Sequence, residues 1–75
     1  MDKSALQELN VLCQRIFRGK IAQVTSETRQ WSGENETDVE LTLPDGKVFT
    51  ATALNKKDAK QEAASEALSY MYDNY

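Results

Sequence analysis

Apolar residues recur at Leu6, Leu9, Leu12, Cys13 and Ile16, three and four positions apart, a spacing that predicts an amphipathic helix running to about Phe17. Ser4 followed three residues later by Gln7 has the form of a capping box at its start, and Gly19 supplies a stop. The polar face of this helix carries Gln7, Asn10, Gln14 and Arg18. Ile21, Val24, Thr25 and Thr28 then favour extended structure, so a strand is predicted from Ile21 to about Arg29. Gln30 to Glu36 is polar and acidic around one glycine and reads as a hairpin loop longer than a tight turn. From Thr37 to Leu43 the alternation is clean, with Val39, Leu41 and Leu43 on one face and Asp38, Glu40 and Thr42 on the other. Pro44-Asp45-Gly46 is turn chemistry, and Lys47 to Thr52 returns as a third strand. Asn55 is a suitable N-cap with Asp58 at the third helical position, and a closing helix is predicted from Lys56 to about Tyr72, with Ala59, Ala63, Ala67 and Met71 four apart.

The order helix, three antiparallel strands, helix leaves one apolar sheet face for both helices to cover. The predicted fold is therefore an α+β two-layer sandwich forming a single domain over residues 1–75, with the opposite sheet face wet. A chain of 75 residues buries only roughly 60–65% of its unfolded surface, and 40% apolar with 28% charged residues suits a small globule. Runs of two apolar residues are far too short for a membrane helix, and no signal-like segment opens the chain, so a soluble protein inside the cell, cytoplasmic or nuclear, is expected. With one cysteine and no histidine, neither an internal disulfide nor the usual zinc sets can be assembled, and the commonest general base is missing. Neither an enzyme, a metal site nor a cofactor is expected. Cys13 reads as a buried reduced thiol. Trp31 reads as cover for an edge of the core, and the sequon Asn35-Glu36-Thr37 as chance.

Net charge is −3, so any contact with nucleic acid must come from a local patch. One candidate exists. Lys56, Lys57 and Lys60 occupy the first turns of the closing helix, whose N-terminus already carries about half a positive charge. Their charged neighbours three and four residues away are of like sign, Lys56 with Lys60 and Lys57 with Lys60, as are Asp58 with Glu62 and Glu62 with Glu66. An arrangement that weakens the free helix in several small ways is relieved by a bound anion, and free N–H groups with three ammonium groups suit a phosphate.

The element order, together with the stretch Asn55-Lys56-Lys57-Asp58-Ala59-Lys60-Gln61-Glu62-Ala63-Ala64-Ser65-Glu66-Ala67-Leu68, resembles the double-stranded RNA-binding domain family from Ser4 to about Met71. Leu9-Asn10 with Cys13-Gln14 is similar to the family's first helix, and Asp45 to Thr50 to its second hairpin. The resemblance implies a non-catalytic module that reads A-form shape across two minor grooves and the major-groove phosphates between them. It implies Lys56, Lys57 and Lys60 at those phosphates, and Ser4, Gln7 and Asn10 of the first helix in one minor groove. The loop that enters the other minor groove, usually Gly-Pro-x-His, reads Gly33-Glu34-Asn35-Glu36 here, leaving Gly33 and Asn35 as its candidates. Val11 stands where many members carry a glutamate, and Ala51 and Ala53 where glycines are common. The expected partner is double-stranded RNA. The alternative is a member turned to protein contact or self-association, for which the acidic loop and Tyr70-Met71-Tyr72 with Tyr75 are the motive.

Overall fold

A computed structural model describes residues 4–31 and 33–75, with Trp31 described by its backbone alone. The elements follow the predicted order: α1 (Ala5–Ile16), β1 (Gln23–Trp31), β2 (Glu34–Thr42), β3 (Val48–Ala53) and α2 (Lys56–Asn74). Both helices begin where the caps predict. Ser4 Oγ accepts from the Gln7 N–H at 3.2 Å, and Gln7 Oε1 accepts from the Ser4 N–H at 3.3 Å, closing the capping box. The Ala5 N–H, another donor of the first turn, finds Gln61 Oε1 of α2 at 2.8 Å. At α2, Asn55 Oδ1 accepts from the Asp58 N–H at 2.9 Å while Asn55 Nδ2 donates to Asp58 Oδ2 at 3.0 Å. The helix continues two residues beyond the predicted Tyr72, because no glycine or proline follows to stop it.

The sheet has the order β1-β2-β3 and is antiparallel throughout. Val39, Leu41 and Leu43 are buried as the alternation predicts, and Thr37 joins them. The first hairpin departs from expectation. β1 starts at Gln23, not Ile21, and pairs with β2 without interruption from Gln23↔Thr42 to Trp31↔Glu34, leaving only residue 32 and Gly33 between the strands. Gly33 takes φ +86°, a conformation open to glycine and costly for other residues. The longer loop predicted over Gln30 to Glu36 is thus mostly strand. β3 pairs with β2 only over Thr37–Thr42, so Arg29–Trp31 and Glu34–Glu36 form a two-stranded ribbon projecting past the third strand. The expected cover of a core edge by the Trp31 side chain lies outside the described residues.

One buried cluster joins Val39, Leu41 and Leu43 to residues of both helices. Ala59, Ala63, Ala64 and Ala67 of α2 are fully buried, and their small side chains bring that helix close onto β2 and β3. The backbone of α1 lies against α2 and reaches the shared core through the longer Leu9 and Cys13. Cys13 is a buried free thiol, with its Sγ 3.8 Å from Met71 Sδ, and burial pushes its pKa up.

Candidate nucleic-acid interface

Three contacts fix how the helices run. Ala5 bonds Gln61, Cys13 meets Met71, and the ring of Phe17 packs edge-on against that of Tyr75 at 5.4 Å. Early residues of α1 therefore face early residues of α2, and late face late. The helices are parallel, and both electropositive N-termini lie at one end of the molecule. Lys56 and Lys57 stand exposed at that end and Lys60 is half-buried. Among the described residues the only ion pair is Arg29–Asp38, so none of the three amines is neutralised by a carboxylate.

Ser4 and Gln7 sit at the same end on α1, Gln7 exposed and Ser4 half-buried. Their mutual cap occupies the Ser4 hydroxyl as an acceptor and the Gln7 carbonyl, leaving the hydroxyl hydrogen and the Gln7 side-chain NH2 free to donate. Asn10, read as part of the same polar face as Gln7, lies at its border. It is half-buried, its Oδ1 is shielded without a hydrogen-bond partner among the described residues, and the ridge beside Gln7 is continued by exposed Val11 and Gln14.

The ribbon leaves the sheet at this same end, since Thr37 pairs with Ala53 and the α2 cap follows two residues later. Strand alternation sorts its side chains. Gln30 and the directly opposite Asn35 share the row of Val39 and Leu41, the side on which the helices lie. Glu34, Glu36, Asp38 and Glu40 share the opposite row with Glu27 and Arg29. The carboxylates that in a loop would face the same way as Asn35 are thereby turned to the outer face. Gln30 was not singled out from the sequence; the signal for it is the pairing register, which places it beside Asn35. On the outer face Asp38 accepts from Thr52 Oγ1 at 2.6 Å and pairs with Arg29. The Thr52 hydroxyl, then the Arg29 charge, hold Asp38 below the usual carboxylate range against the opposing effect of desolvation.

The model of the double-stranded RNA binding motif matches residues 3–71, nearly the whole of this α-β-β-β-α chain. The chain belongs to that family. A Ribonuclease 3 of Nitratidesulfovibrio vulgaris is 37% identical to it over 67 residues, which cover 89% of this chain and 25% of that protein. The chain thus spans about a quarter of the length of this curated relative. As a member of the double-stranded RNA binding motif family it is a binding module for double-stranded RNA, in agreement with the resemblance seen in its lysines and alanines. Among the described residues no helix is long and apolar enough to cross a membrane.

The C-terminal tyrosines, the motive for the alternative of protein contact, each make a contact within the chain, although Tyr72 and Tyr75 stay exposed. Tyr70 tilts against Phe49 at 5.5 Å and its hydroxyl donates to Asp45 Oδ2 at 3.0 Å. Tyr75 donates to the same oxygen at 2.8 Å, and Tyr72 to Glu8 Oε1 at 3.1 Å. Met71 is fully buried, whereas Tyr72 keeps 61% of its surface exposed.

Proposed function

We propose that this double-stranded RNA binding motif grips its duplex by the end where the two helix N-termini meet. Lys56, Lys57 and Lys60 contact the phosphates flanking the major groove, Ser4 and Gln7 of α1 donate into one minor groove, with Asn10 at the margin, and the ribbon tip with Gly33 and Asn35 reaches the other. Gln30 acts with Asn35, because the two amides are cross-strand neighbours. The observation that carries this reading is the set of three amines, free of ion pairs among the described residues, at the shared positive end of parallel helices. Binding is by shape and charge, without catalysis by these residues, and inside the cell. Where a Ribonuclease 3 contains such a segment, the segment would hold the duplex for chemistry performed elsewhere in the longer protein.

Three phosphate contacts predict a fall of log affinity with log salt of slope about −2 to −3. The test is a titration of the chain with an RNA duplex at several salt concentrations, followed by amide chemical shifts. Shifts concentrated at residues 56–60, with Lys57→Ala and Lys60→Ala weakening unrelated RNA duplexes to a similar extent and each flattening the slope by about one, are the expected result. Unchanged titration curves for both variants would overturn it.

A further inference from the structure

β1 is an edge strand nine residues long, and among the described residues no strand pairs with it on the side away from β2. Apart from the charges of Glu27 and Arg29 it has few of the usual guards: it contains no proline, glycine or lysine, its register with β2 runs without a bulge, and among the described residues no backbone hydrogen bond from a turn, loop or cap reaches residues 23–31. Natural sheets guard their edges with such devices, because a row of unpaired N–H and C=O groups accepts another strand. β3, the other edge, is six residues long and carries no charge that could set a register. The distal part of β1 also lacks support. Past Thr28↔Thr37 β2 has no third strand on its other side, and a two-stranded ribbon in water is marginal without a third strand or a helix behind it.

We propose that the free edge of β1 pairs antiparallel with the same edge of a second copy of this chain, about a two-fold axis at Thr28. The charge pattern selects both occupant and register. An axis at Thr28 sets Glu27 of each copy opposite Arg29 of the other, so two opposite-charge cross-strand pairs form at once on the outer face. An axis at Glu27 or at Arg29 would instead set like charges against each other. The association is isologous and closes as a dimer with one six-stranded sheet, in which each ribbon gains its third strand. Arg29 then lies between Asp38 of its own chain and Glu27 of the partner copy.

The experiment is sedimentation of the whole chain over a concentration series, with the folded state of each variant checked by circular dichroism. The wild type is expected to dimerise, Glu27→Arg to weaken the dimer by about tenfold because arginines then stand opposite each other, and Glu27→Arg combined with Arg29→Glu to restore it. Thr28→Cys is expected to form an intermolecular disulfide under mild oxidation, since directly opposite residues bring their Cα atoms to about 4.5–5.5 Å, within bridging range. Thr50→Cys on the exposed face of β3 is the control and is expected to cross-link much less. A monomer throughout the series, a charge exchange that fails to restore association, or equal cross-linking at both cysteines would overturn the proposal. The RNA titrations above are read at residues 56–60, so either result can fail without the other.

Discussion

Asp45 joins two distant parts of the chain through one carboxylate. It lies in the β2–β3 turn, where its Oδ1 accepts from the Lys47 N–H at 2.9 Å, and its Oδ2 receives the hydroxyls of both Tyr70 and Tyr75 from the end of α2. An ionised carboxylate accepts without donating, so all three bonds favour the charged form. The Lys47 N–H, then the Tyr75 and Tyr70 hydroxyls, hold Asp45 below its ordinary range, and the same carboxylate pushes Tyr75 up to about 12. A lowered acid contributes stability that is present above its unfolded pKa and lost as pH falls through the folded one. A raised tyrosine contributes stability that is present below about pH 10 and lost as pH rises through about 12. Thermal melting should therefore weaken below about pH 4 and again above about pH 10. Tyr75→Phe should lower the melting temperature at neutral pH and flatten the alkaline limb while leaving most of the acid one; an alkaline limb identical to wild type would contradict the assignment.

The elements owe their starts to two short side-chain motifs. Replacing Asn55 by alanine removes the acceptor of the Asp58 N–H, and urea unfolding should show a loss of about 0.5–2 kcal/mol. Because the lysines occupy the turn that this cap holds, RNA affinity should fall as well; a variant with normal stability and normal affinity would show the cap to be dispensable. These starts were readable in advance because a cap is a local device, complete within four residues, as in Ser4 with Gln7 and Asn55 with Asp58. The closing helix was readable for a similar reason, its alanines spaced by four being the face that touches the sheet. The first hairpin was not. Alternation of apolar and polar residues marks a strand only where one face has a core behind it, as Val39 and Leu41 do. Gln30, Glu34 and Asn35 are exposed on the ribbon, so their composition matched that of a loop. The same fact hid part of the candidate site, since Gln30 becomes a neighbour of Asn35 only through a register that the sequence does not display. Asn10, read as part of the α1 polar face, is half-buried at its border, a distinction between outside and edge that a helical spacing does not make.

For the whole molecule, the distance between layers is set by alanine. Ala63 is fully buried where α2 approaches the sheet, and Ala63→Leu forces extra volume into that contact. A lowered urea midpoint, corresponding to about 1–3 kcal/mol, is the expected result, and an unchanged midpoint would mean that the layers can part freely. The parallel helices have a separate consequence. With three amines and two helix N-termini at one pole, and Glu27, Glu34, Glu36, Asp38 and Glu40 turned to the outer row of the sheet, a net charge of −3 describes the molecule poorly. At the start of α2 three lysines stand against Asp58, so the local balance there is positive although the whole chain is negative. A polyanion thus meets a repelling whole and an attracting end, and because added salt shortens the reach of both to within a Debye length, the balance between them shifts with ionic strength.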